Sequence, residues 1–170
     1  MAGKVIGKTL PFGFRGNVSR TPDTIVMPFC AVGDDPIQFG EPVVYDATNK
    51  GVRKVASGDT SASIIGIAVR RMGQPYADSA DGYYYAKGDT VDVLVRGSMT
   101  IELLSATGIA ARGKVYVCNG TGSNRPAGSI VAQAASGTGA DTIEVPNTVF
   151  ATGDYDASNI AEVTILTRSI

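Results

Sequence analysis

With 170 residues, 44% of them apolar and 18% charged, the chain is long enough to bury one substantial core, and this balance excludes a disordered protein. A net charge of −1 excludes a globally basic nucleic-acid binder. The charge is unevenly spread: residues 1–22 hold four of the 15 bases (Lys4, Lys8, Arg15, Arg20) and none of the 16 acids, so the remainder carries −5.

Residues 1–24 contain Gly3, Gly7, Pro11, Gly13, Gly16 and Pro22 and follow neither the helical nor the strand period. This composition predicts an extended N-terminal arm that orders only against another surface, its own body or a neighbour. From residue 25 the chain reads as a β domain extending to residue 170. Ile25 to Cys30 and Gly40-Glu-Pro-Val-Val-Tyr45 are strand-like, with Val52 to Val55 returning after the Asn49-Lys50-Gly51 turn. Ile64 to Arg70 and Thr90 to Leu104 are the two long strands. In the second, Val91, Val93 and Val95 share one face and Asp92, Leu94 and Arg96 the other, until Gly97 interrupts the pattern as a bulge would.

Between these strands lies a polar loop, Met72 to Gly82. It runs into Tyr83-Tyr84-Tyr85, where alternation places at least one tyrosine toward solvent or a partner. Helix is nearly absent, with one turn expected at Ser105 to Ala111. Gly40 to Tyr45 matches Gly113 to Cys118, and Val91 to Leu94 matches Val163 to Leu166, at offsets of 73 and 72 residues, which suggests two duplicated hairpin units at 25–104 and 113–170. Cys30 and Cys118 lie in apolar strand contexts and are expected as buried free thiols. No apolar run approaches the ~18 residues of a membrane span, and no signal peptide is visible, so synthesis in the cytoplasm is expected.

A search for chemistry comes back empty. There is no histidine, which removes the commonest general base and metal ligand, and the two cysteines are 88 residues apart. Gly108 to Lys114 has phosphate-loop spacing, but Val115 occupies the position of the magnesium-binding hydroxyl, and Gly3 to Thr9 is one residue short. Asp34-Asp35 reads as a solvated turn, and Asp78 with Asp81 lacks the alternating acids of a calcium loop. No catalytic residue, metal or cofactor is expected.

Several motifs, in order, carry a family likeness. Gly16-Asn-Val-Ser-Arg20, Phe39-Gly-Glu-Pro-Val-Val44, Ile64 to Arg70, Tyr85 to Gly97 and Gly113-Lys-Val-Tyr-Val117 together resemble the structural cement (capsid decoration) proteins of tailed bacteriophages. The likeness weakens beyond Gly122. It implies an all-β fold, a single β-barrel or jelly-roll-like sandwich with an extended N-terminal arm. It also implies a non-enzymatic virion protein that sits as a dimer or trimer on the capsid exterior and clamps neighbouring major capsid subunits. Neither nucleic acid nor membrane is implied as a partner. Arg15, Arg20, Tyr83, Tyr84 and Tyr85 are the candidate capsid contacts, the arginines because a guanidinium holds a carboxylate bidentately. A carbohydrate- or host-receptor-binding β domain of a phage particle, with the tyrosines as a stacking platform, is the alternative.

Overall fold

The computed structural model describes residues 12–71, 84–120, 125–135 and 141–167. Among these residues eleven strands carry the fold: β1 (Val18–Cys30), β2 (Ile37–Gln38), β3 (Pro42–Asp46), β4 (Gly51–Lys54), β5 (Ile64–Ala68), β6 (Tyr84–Tyr85), β7 (Thr90–Ser105), β8 (Lys114–Cys118), β9 (Ile130–Val131), β10 (Thr142–Tyr155) and β11 (Ile160–Ile165). The one helical turn among the described residues is a 3-10 turn at Ser61–Ser63. The turn expected at Ser105 to Ala111 does not form, because Ser105 still pairs with Val131 as the last residue of β7.

Strand β7 is the spine. Its second half pairs with β11 on one edge and β9 on the other, and β9–β8, β8–β10 and β10–β11 complete a closed five-strand circuit. Closure leaves no free edge in the ring and encloses a barrel core that includes Met99, Ile101, Leu103, Val115, Val117, Phe150, Ala161 and Val163. The first half of β7 pairs with β5 and with most of β1, whose first residues run on past Gly97 to Ser98 and Met99, and β5, β3 and β4 continue the sheet. Over this half lies a second core, built from Val43, Val52, Ile65, Val91, Val93 and Val95, with the small β2–β6 ladder contributing Ile37 and Tyr85.

The wall between the cores explains the unbroken apolar pairs in the sequence. Val44, Ile64 and Leu94 face the barrel core while Val43, Ile65 and Val93 face the other. Strands buried on both faces lose the alternation of a half-exposed strand. At Gly97 the parity of β7 reverses: odd residues face the second core before it and the barrel core after it. Gly97 has φ +121, and in its pairing with β1 the partners jump from Arg20 opposite Ser98 to Ile25 opposite Arg96. The expected bulge is therefore the device that lets one strand serve two cores.

Two local expectations change. The strand expected from Ile25 starts at Val18, since Val18 pairs with Met99 and Arg20 with Ser98. Both cysteines are free, but Cys30 is exposed while Cys118 is buried. Phe29 takes the inward position at the end of β1, packing on the second core, so the next residue points outward.

Candidate functional site

The residues ahead of β1 are tied to the barrel wall by main-chain bonds that extend the β1–β7 ladder. Gly16 N–H donates to the Thr100 carbonyl at 2.7 Å, Thr100 N–H to the Asn17 carbonyl at 2.9 Å, and Arg70 N–H to the Gly16 carbonyl at 2.7 Å. Thr100 Oγ1 donates to the Phe14 carbonyl at 2.6 Å, and Phe12 N–H donates to the Asp156 carboxylate at 3.0 Å. Burial works against the Asp156 charge, but N–H bonds from Ile160, Phe12 and Ser158 outweigh it and hold the carboxyl below the ordinary aspartate value. The described part of the arm thus lies on its own body.

The candidate arginines are both engaged there. Arg15 Nη1 meets Glu102 Oε2 at 3.1 Å. Arg20 forks onto Glu162 with two bonds of 2.8 Å, and Ser19 Oγ adds a third donor at 2.6 Å. Glu162 is buried in β11, and the Arg20 hydrogen bonds hold its carboxyl below the ordinary glutamate value against the opposing effect of burial. Without Arg20 and Ser19 this carboxylate would be a poorly paired charge in the barrel wall.

The tyrosines divide. Tyr83 lies outside the described residues, as does the Met72 to Gly82 loop. Tyr84 is half-buried on β6. Tyr85 is wholly buried, packed edge-on against Phe39 with centroids 5.1 Å apart, and its hydroxyl donates to the Val69 carbonyl at 2.6 Å. Burial pushes that phenol up to about 12. Tyr85 is therefore part of the second core, and its ring is not available to a partner.

What the sequence search missed stands next to Arg15. Phe14 is 63% exposed, with the Arg70 guanidinium 4.4 Å from its ring centroid. Beside it opens a concavity of about 350 Å3 lined by Gly13, Phe14, Arg15, Phe39, Arg70, Glu102, Ser158 and Ile160. The signal was present as Gly13-Phe14-Arg15-Gly16, an aromatic and a cation enclosed by glycines. An adjoining hollow of about 250 Å3 holds the ion pair of Glu41 and Lys54, 3.3 Å apart, where burial raises the Glu41 carboxyl above its ordinary value.

Nothing at these places resembles a catalytic arrangement. Lys114, read as the lysine of a phosphate loop, starts a strand and pairs with Glu144 at 2.7 Å, and Val115 is buried in the barrel. Asp34 pairs with Lys87 at 2.6 Å on an exposed turn. Gly3 to Thr9, Asp78 and Asp81 lie outside the described residues. Among the described residues no three His, Cys, Asp or Glu side chains gather as metal ligands, and no helix is long and apolar enough to cross a membrane.

The molecule is thus a β-barrel protein with a clasped N-terminal segment. The sequence profile of the structural cement protein family (E217 gp24/Pam3 gp6) matches residues 3–166, and the chain belongs to that family of phage structural proteins. A chain from the capsid of Myoviridae phage XM1 has the same fold, with a TM-score of 0.70 at 21% identity over 98% of both chains. No curated protein matches the sequence.

Proposed function

We propose that the protein binds the outer surface of a tailed-phage capsid and cements neighbouring major capsid subunits, acting by contact and without catalytic turnover. Membership of the cement family across nearly the whole chain is the observation that carries this reading. The architecture supports it, since a closed barrel with a second core fused to its wall is a rigid body. Rigidity matters because contacts repeated over many shell subunits gain from avidity only when each is presented in a fixed geometry. Self-association into a dimer or trimer would multiply them further.

Arg15 and Tyr84 remain candidate contacts, and Arg20, 63% exposed along its side chain while clasping Glu162, can offer its outer edge. A protein that binds the assembled shell in preference to free subunits stabilises the shell by linkage. Capsids assembled without the protein should therefore disrupt at a lower temperature than capsids to which it has been added back at saturation. Equal disruption temperatures, with binding verified by sedimentation, would instead favour a host-attachment role.

A further inference from the structure

Phe14 is large, apolar and 63% exposed, yet its main-chain carbonyl is held on the body of the protein. Its carbonyl accepts from Thr100 Oγ1 at 2.6 Å and from Asn17 N–H at 3.3 Å. It stands between Gly13 and Gly16, whose φ angles of +103 and +81 bend the chain on either side of it. At Gly16 the bend also needs the space: a Cβ there would lie 3.0 Å from the backbone nitrogens of Arg70 and Gly40. The Arg70 guanidinium then sits 4.4 Å from the ring centroid, and the concavity beside the ring is floored by Phe39 and Ile160. A displayed aromatic on an ordered backbone, stacked by a cation and adjoining an apolar hollow, has the make-up of an interface hot spot, where little entropy remains to be lost on binding.

The charge around it selects the partner. Among the described residues Arg15, Arg70 and Glu102 are the charged groups that line the hollow, Arg15 paired with Glu102 at 3.1 Å, and exposed Arg71 follows directly in the chain. A complementary surface presents an apolar side chain for the hollow, flanked by carboxylates for the arginines. We propose that Phe14 with Arg70 is the anchor by which this protein engages an acid-rimmed apolar spot on the major capsid subunit. This rests on the cement reading and adds to it the place of contact and the chemistry of the partner.

The test uses full-length protein and capsids assembled without it. Phe14→Ala should weaken binding by roughly thirtyfold, Phe14→Tyr should bind nearly as wild type, and Arg70→Gln should weaken binding and reduce its sensitivity to salt. Because Phe14 is exposed, Phe14→Ala should keep the wild-type melting temperature and the wild-type mass in sedimentation. A Phe14→Ala protein binding within about twofold of a wild type that itself binds would overturn the anchor and leave the cement reading standing. Loss of self-association with unchanged capsid affinity would also overturn it, assigning the patch to contact between copies. A wild-type protein that does not bind the capsids would overturn both readings.

Discussion

Glu162 is the residue on which the docking of the N-terminal segment turns. It is a buried carboxylate whose three donors all come from Ser19 and Arg20. Its folded pKa is depressed, so its contribution is complete above the ordinary glutamate value of 4.5 and is lost as pH falls through the lower folded value. Glu162→Gln removes the charge and keeps the shape. Amide hydrogen exchange along Val18 to Arg20 should then rise on the order of tenfold at neutral pH, while the wild type shows the same loosening only on acidification below the glutamate range. Unchanged exchange in Glu162→Gln would mean that the main-chain ladder alone holds the segment. The residue types of this clasp were visible in the sequence. Their meeting was not, because 142 positions separate Arg20 from Glu162 and no spacing rule spans that distance.

At the scale of the element, β1 and β7 show two solutions to a sheet's needs. Pro28 pairs with Asp92, whose carbonyl is turned away to accept from Val69 N–H at 2.7 Å, so proline occupies a place in the β1–β7 pair where no donor is required. Its missing N–H therefore costs the ladder nothing. On β7 the solution is Gly97. A Cβ there would lie 3.0 Å from Thr24 Oγ1 and 3.1 Å from Thr24 Cα, at a φ of +121 that side chains rarely adopt. Gly97→Ala should lower the unfolding free energy by about 1–3 kcal/mol, read from the denaturant midpoint at unchanged slope. A shift within a few tenths would show that β1 yields instead. The bulge was legible because an alternating valine run stopped at a glycine. Its consequence, the change of core, was not, since both faces of β7 are apolar and only their neighbours tell them apart.

For the whole molecule, the two cores share β3, β5 and β7, with adjacent residues of each strand facing opposite cores. Neither can lose its wall without exposing the other, so unfolding should be one cooperative transition. Phe150→Ala in the barrel core and Val93→Ala in the second core should each shift that whole transition, the former by about 3–5 kcal/mol. Circular dichroism and the fluorescence of the tyrosines should move together; separate transitions would show two independent units. The sequence by itself determined the β class, the glycine turns, the lack of a histidine-based site and the family, all set by local composition and by the order of short motifs. Only the tertiary structure decided that the barrel closes through β11 on β7, that Tyr85 is a core ring, that Arg15 and Arg20 face carboxylates of their own chain, and that Phe14 is the most exposed of the described aromatics. Each of those outcomes depends on which distant residue is packed opposite, and burial is a property of that neighbour as much as of the side chain itself.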